Sequence, residues 1–243
     1  MTHSNIPSAF PDLPEDPDLL PEIPGGWHDV EIALDGKSVR MYRPRDPDLF
    51  LDDAQVHQEN ARHDYMPYWA YLWPSSIPMS NAVLRAPWPV GAEVLELGAG
   101  IGLVGLAAAG RGDRVTFSDY DRTALHVCRL NTRLNGLSDP ELWQLDWRSR
   151  TQRTFPVLIG CEVTYDATLH EPLLDTIAAL LAPDGLCWLG DPGRYQSEFF
   201  YQKAQARGFQ LRLLDQHQQP VDGIRNGEFH LLELKHPSTG SVT

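Results

Sequence analysis

Three carboxylates and a cluster of glycines carry the chemistry legible in this chain. Val94-Leu-Glu-Leu-Gly-Ala-Gly-Ile-Gly-Leu103 is an apolar run holding an acid, Glu96, that then turns on Gly98, Gly100 and Gly102. Asp119 closes a second apolar run, Val115-Thr-Phe-Ser-Asp119, 23 residues after Glu96. Asp146, followed by Trp147, closes a third. Glycine lets a backbone take positive φ and come close to a ligand. A carboxylate ending the second strand can accept hydrogen bonds from both hydroxyls of a ribose. Asp146 could accept from an adenine amino group, with Trp147 offering an aromatic face. The combination marks a pocket for a nucleotide-like ligand.

The charge at Glu96 bears on which ligand. Gly100-Ile-Gly-Leu-Val-Gly105 matches the GxGxxG pattern of dinucleotide sites. A dinucleotide lays its pyrophosphate over such a turn, where a carboxylate would repel it. S-adenosylmethionine has no phosphate, and its ammonium and sulfonium are positive. The local charge therefore favours S-adenosylmethionine, with Glu96 orienting its amino-acid half, and hence methyl transfer. The chain also has no Tyr-x-x-x-Lys pair of the short-chain dehydrogenase type. The alternative is that the glycines only make a tight strand-to-helix turn.

A second constellation follows the fourth apolar run, in Gly160-Cys-Glu-Val-Thr-Tyr-Asp166. Glu162 and Tyr165 fall at the same sheet edge as the first site. Glu162 could hold a lysine ammonium, and Tyr165 could wall the channel or accept a hydrogen bond. Against this, Glu162 could be a helix-start charge and Tyr165 a core aromatic. Gly190-Asp-Pro-Gly-Arg194 ends a fifth run and places Asp191 and Arg194 at that edge, shaping a substrate entrance or pairing with each other. In Pro67-Tyr-Trp-Ala-Tyr-Leu-Trp-Pro74, Trp73 and Tyr68 are expected to cover the ligand and Tyr71 to pack in the core. The nine histidines show no HxxxH spacing and the three cysteines no CxxC, so no metal is expected.

Positioning these groups requires alternating strands and helices. Strands are expected at 93–97, 114–118, 142–145, 157–163 and 186–190, with helices near 75–86, 122–134, 171–182 and 196–207. Asp121 is a natural N-cap for the helix at 122–134, and Asn135-Gly136 its stop. Two last strands, 209–217 and 228–235, have no long helix between them and should pair antiparallel. Five strand–helix units and this hairpin give an α/β, Rossmann-like, seven-stranded, mostly parallel sheet, with the ligand at the carboxyl ends of the strands. Ahead of it, residues 1–24 read as a flexible acidic, proline-rich tail. Residues 25–66 read as an extension holding a hairpin over 27–43 turned at Asp35-Gly36, then a short helix or ordered loop. Residues 67–243 form the main domain.

A formal net charge of −13 disfavours a nucleic-acid partner, because phosphate affinity rests on Lys and Arg, and it suits a basic protein surface. No run approaches the ~20 apolar residues of a membrane span. The first residues lack the basic and apolar regions of a secretory signal, and the odd, apolar-flanked cysteines fit a reducing, cytoplasmic setting.

These residues together resemble the seven-β-strand protein methyltransferases of methyltransferase family 16, over about residues 65–208. The landmarks are Pro67 to Ser75, the LELGAGIG turn, Ser118-Asp-Tyr-Asp121, Asn131 to Gly136, Leu145-Asp-Trp147 and Glu162-Val-Thr-Tyr165. The last resembles the family's (Asp/Glu)-x-x-Tyr signature, associated with binding the substrate lysine. Gly190-Asp-Pro-Gly-Arg194 is similar to a motif of the branch that methylates the electron transfer flavoprotein β-subunit, from which the acidic N-terminal region departs. The resemblance implies a class I methyltransferase fold. It also implies S-adenosylmethionine as cofactor, with Tyr120 joining Trp73, Glu96, the glycines, Asp119, Asp146 and Trp147 around it. The implied partner is a protein with an accessible lysine, with Glu162 and Tyr165 at the transfer end; the alternatives are a small-molecule N- or O-methyltransferase and a non-catalytic module that binds S-adenosylmethionine. Oligomeric state is left open.

Overall fold

The structure is a computed structural model that describes residues 12–63, 65–149 and 153–237. The chain opens with an antiparallel hairpin, β1 (Trp27–Leu34) and β2 (Lys37–Pro44), turned at Asp35-Gly36 as its sequence demands. A 3-10 turn (Pro47–Asp52), α1 (Ala54–His63), a second 3-10 turn (Tyr68–Ala70) and α2 (Ser76–Leu84) lead to the main sheet. From there β3 (Glu93–Leu97), α3 (Leu103–Arg111), β4 (Arg114–Asp119), α4 (Arg122–Leu134) and β5 (Glu141–Gln144) alternate. They are followed by β6 (Phe155–Cys161), α5 (His170–Leu180), β7 (Leu181–Asp191), α6 (Tyr195–Ala206), β8 (Gln210–Leu214) and β9 (His230–Lys235).

The seven-stranded sheet has the order β5-β4-β3-β6-β7-β9-β8. Pairs from β5 to β7 are parallel, and β9 runs antiparallel between β7 and β8. The strand order reverses at β3, and the crevice at such a reversal is where doubly wound sheets bind ligands. One expectation is corrected. Helices follow β3, β4, β6 and β7, but among the described residues none follows β5, so there are four strand–helix units rather than five.

Side-chain alternation puts half of each central strand on either face. Val94, Val157 and Ile159 pack with α2, α3 and α4, while Leu95, Leu97 and Leu158 pack with α5 and α6. Helix α4 is buried beyond one stripe, because the hairpin covers its outer side. Asn131 and Asn135, one turn apart, present their amides to the edge of β2. Asn131 accepts from the Tyr42 N–H at 2.6 Å and donates to the Tyr42 carbonyl at 3.1 Å. Asn135 does the same for Arg40, at 3.0 and 2.6 Å. The two side chains thus act as a substitute strand that satisfies an exposed sheet edge.

Of the expected tail, residues 1–11 lie outside the described residues. Residues 12–24 form no helix or strand, and they run along α4. The Leu19 carbonyl accepts from His126 Nε2 at 2.7 Å and the Pro17 carbonyl from Arg129 at 2.8 Å.

Candidate active site

The glycine turn leaves β3 with φ of +62° at Gly98, +54° at Gly100 and +88° at Gly102, which caps α3. All three glycines also answer to close packing, a Cβ on Gly102 standing 2.8 Å from Cys128 Sγ. A Cβ on Gly98 would stand 2.9 Å from Val163 Cγ1, and one on Gly100 3.3 Å from the Trp69 carbonyl oxygen. Gly105 serves a different end. There a Cβ would meet Phe117 at 2.3 Å and Glu96 Oε2 at 2.4 Å, so only glycine lets α3 lie against β3 and β4. The third glycine of the GxGxxG pattern is thus a packing requirement.

Each acid is tied to backbone. Glu96, 2% exposed, accepts from the Gly105 N–H at 3.0 Å. Burial pushes its carboxyl up to about 8, so near neutral pH the acid read from sequence largely carries a proton, which a neighbouring cation would favour losing. Asp119 accepts from Gly100 N–H and Asp121 N–H, both at 2.9 Å, joining the end of β4 to the turn after β3; burial raises its pKa also. Asp121 caps α4 through Thr123 N–H at 2.7 Å and takes the Tyr65 hydroxyl at 2.5 Å. Desolvation holds it up at about 7.

Asp146 is more occupied than its sequence suggests. Oδ1 accepts from Arg148 N–H at 2.9 Å and Arg148 Nε at 2.8 Å, and Oδ2 from Arg148 Nη2 at 2.9 Å. The same guanidinium stands 5.9 Å from the Tyr120 ring centre. Trp147 lies beside Gly98, about where that glycine's Cβ would be in contact.

A cleft of about 680 Å³ joins these groups to the second constellation. Its walls include Glu96, Gly98, Gly100, Gly102, Asp119, Tyr120, Asp146 and Trp147 on one side. Tyr68, Trp73, Glu162 and Tyr165 line the other. Asp191 and Arg194 do not border it. The aromatic rim is interlocked: Tyr68 meets Tyr165 edge-on at 5.4 Å and Trp73 at 6.2 Å, and Trp73 donates to the Tyr68 carbonyl at 3.1 Å. Tyr68 and Tyr165 remain exposed. Tyr71, expected in the core, is half-buried at the cleft and donates to Asp48 at 2.7 Å.

Glu162 has φ +55°, unusual for a residue with a side chain. Its Oε1 accepts from Ser75 N–H at 2.7 Å and its Oε2 pairs with Arg194. Arg194 also donates its N–H to Asp191 Oδ1 at 2.8 Å, so Asp191 and Arg194 do pair, as one of their two expected roles required. Sequence reading missed Gly105 as a packing partner of Glu96, the Arg148 clamp on Asp146, Ser75, and the Tyr65–Asp121 bond. GxGxxG was the one available signal for the first. The others are meetings of residues distant in sequence or of types with no fixed spacing.

The residues present fit S-adenosylmethionine. The turn brings bare backbone to the cleft, Asp119 stands in the cleft wall, and the cleft is lined by both acids and aromatic rings. Among the described residues no group of three or more His, Cys, Asp or Glu is placed to hold a metal ion.

Comparison with known proteins agrees with this geometry. The chain is 27% identical over 152 residues to histone-arginine methyltransferase METTL23 of Rattus norvegicus, covering 58% of this chain and 67% of that protein. It is 36% identical over 78 residues to the electron transfer flavoprotein beta subunit lysine methyltransferase homolog of Caenorhabditis elegans, covering 31% of this chain and 32% of that one. It is 32% identical over 112 residues to protein N-lysine methyltransferase METTL21A of Xenopus tropicalis, covering 44% and 52%. The chain thus spans from about a third to two thirds of the length of these relatives. Among solved structures, Thermus thermophilus 16S rRNA methyltransferase RsmC, in complex with AdoMet and guanosine, shares the fold. Its TM-score is 0.60 at 17% identity, covering 88% of this chain and 52% of that one. The family model described as lysine methyltransferase matches residues 73–206, from the aromatic rim to the end of α6. With that match over more than half its length, the chain belongs to the lysine methyltransferase family and is an S-adenosylmethionine-dependent methyltransferase.

Proposed function

We propose that this chain methylates a lysine side chain of a protein. One observation carries the reading: a single cleft contains both the Gly98–Asp119 end and the Glu162–Tyr165 end. S-adenosylmethionine, when bound, supplies an electrophilic methyl group on a positively charged sulfur. Asp119 accepts from the ribose hydroxyls, and Asp146, Trp147 and Tyr120 border the adenine. Gly98, Gly100, Gly102 and Glu96 face the amino-acid half, with Trp73 closing over it.

At the far end, Glu162 and Tyr165 receive the acceptor, and Tyr68 forms the entrance with Tyr165. Transfer of this kind rests on holding a nucleophile about 3–3.5 Å from the reacting carbon, in line, and away from water. The aromatic rim does the excluding. The acceptor amine loses its proton to water before attack, which a desolvated site favours. Net charge −13 and exposed Tyr68 and Tyr165 suit a basic protein segment as partner, as do relatives whose names specify protein substrates. Free Cys128, Cys161 and Cys187 suit a reducing compartment, so the cytoplasm is part of this reading. Among the described residues no helix is long and apolar enough to cross a membrane.

The test is transfer of labelled methyl from S-adenosylmethionine into a lysate of the source organism lacking this gene, with protein and small-molecule fractions counted apart. A labelled protein band that disappears with Glu162→Ala, while the variant still binds S-adenosylmethionine, supports the reading. Label confined to small molecules, or transfer that survives Glu162→Ala, rejects it.

A further inference from the structure

Glu162 is the buried acid of the acceptor end, and both of its oxygens already have partners. Oε1 takes the Ser75 N–H at 2.7 Å, Oε2 takes Arg194, and the side chain is 1% exposed. Its own N–H donates to the Gly190 carbonyl at 2.7 Å, which fixes the residue in its left-handed conformation. Arg194 is equally constrained. Its backbone is held by Asp191, whose other oxygen takes the Thr164 hydroxyl at 2.9 Å, and Arg194 Nη1 lies 3.7 Å from that oxygen. The guanidinium sits 5.6 Å from the Trp73 ring centre. Glu162 borders the cleft and Arg194 does not, so the arginine braces the acid from outside it.

Such a carboxylate treats two acceptors differently. A guanidinium is recognised by two parallel N–H···O bonds that use both carboxylate oxygens. Here Ser75 takes one lone pair of one oxygen and Arg194 one of the other, so a second fork would have to share both oxygens with partners already bonded. A lysine amine needs only one lone pair. A lysine beside a bare buried carboxylate would also keep its proton and be no nucleophile, whereas beside an acid already paired with Arg194 that pull is largely cancelled.

We propose that Arg194 is a positioning residue that sets acceptor choice: by neutralising Glu162 and occupying half of its fork, it admits a lysine amine and excludes a guanidinium. This rests on the reading of Glu162 as the acceptor-side acid of a protein methyltransferase.

The experiment compares the wild-type chain with R194Q, R194K and the double variant R194Q/E162Q. Three readouts are used: calorimetric affinity for S-adenosylmethionine, thermal unfolding, and labelled transfer into lysate protein followed by complete hydrolysis and separation of methylated amino acids. The wild-type label is expected in methyl-lysine, with methyl-arginine at background. R194Q should bind S-adenosylmethionine within about threefold of wild type yet transfer at least about tenfold more slowly, and R194K should regain part of that loss because it restores the charge. R194Q/E162Q should melt above R194Q, since it removes a buried carboxylate left without its partner. Methyl-arginine as a major product, wild-type transfer by R194Q, R194K no better than R194Q, or a double variant melting no higher than R194Q would each overturn the proposal. Absence of protein label from the wild-type chain would remove the protein-methyltransferase reading and the acceptor choice with it; the melting of R194Q/E162Q against R194Q separately reports whether Arg194 and Glu162 act as a pair.

Discussion

The Gly105 N–H donates to Glu96 Oε2 at 3.0 Å, binding the acid of β3 to the first turn of α3. Three consequences meet at this contact. The unpaired amides at the start of the helix gain an acceptor, at the end of the helix where an acid is favoured. The glycine turn between strand and helix is held at both ends. And a carboxyl is kept beside the cleft with its proton poised near neutrality.

Gly105→Ala should test the contact directly. The added methyl would lie 2.3 Å from Cε1 of the fully buried Phe117 ring and 2.4 Å from Glu96 Oε2, which would have to give up its bond to the Gly105 N–H to move away. Overpacking of this kind costs about 1–3 kcal/mol or more. The expected result is a melting temperature lower by several degrees and weakened S-adenosylmethionine binding, measured by scanning calorimetry and titration. An unchanged melting temperature would mean that α3 can move off β3 freely.

The proton on Glu96 gives a pH dependence with a definite sign. Its pKa is raised from 4.5 to about 8, so the folded state keeps a proton that the unfolded chain has lost. Stability from this group is complete below pH 4.5 and is lost as pH rises to about 8. Between pH 7 and 8 the unliganded chain should therefore melt lower as pH increases, and Glu96→Gln should flatten that slope. S-adenosylmethionine, being cationic, should bind more tightly across the same interval and release a proton on binding. Calorimetry in two buffers of different ionisation enthalpy would detect the proton, and equal heats in both would contradict the coupling.

Asp119→Ala removes the acceptor of the Gly100 N–H and the acid assigned to the ribose. Loss of such a hydrogen bond is worth about 0.5–1.5 kcal/mol in stability. The larger effect should be on ligand affinity, weakened at least about tenfold, which corresponds to ~1.4 kcal/mol. Titration with S-adenosylmethionine would show it, and wild-type affinity would take Asp119 out of the cofactor site.

Asn131→Ala should separate the hairpin from α4. The amide makes three hydrogen bonds, to Tyr42 N–H, the Tyr42 carbonyl and the Ile101 carbonyl. Leaving buried backbone groups unsatisfied costs about 1–3 kcal/mol each, part of which water can recover. A melting temperature lower by several degrees is expected, together with faster hydrogen exchange at Tyr42 and Arg40. Unaltered exchange at these amides would mean that the hairpin docks by its apolar contacts alone.

The order of strands and helices was legible because its signals are local. Apolar runs such as Val94 to Leu97, the Asp121 cap and the Asn135-Gly136 stop each act within a few residues, and α4 runs over the expected 122–134. The same holds for the acids at the strand ends, since topology alone brings the carboxyl ends of parallel strands together. Less was visible where one short segment had to stand for an absent element. The return from β5 to β6 carries no helix among the described residues, and its residues are polar enough to read either way.

The sequence by itself determined the sheet, the glycine turn and the side of the molecule on which Glu96, Asp119, Asp146, Glu162 and Tyr165 lie. Only the tertiary structure decided what each acid is bound to. Arg148 on Asp146, Arg194 and Ser75 on Glu162, and Tyr65 on Asp121 are contacts across 2, 32, 87 and 56 residues. A charge on one strand end is compatible with many partners until packing brings one within reach. Burial then sets its proton affinity, and no spacing in the sequence encodes that final distance.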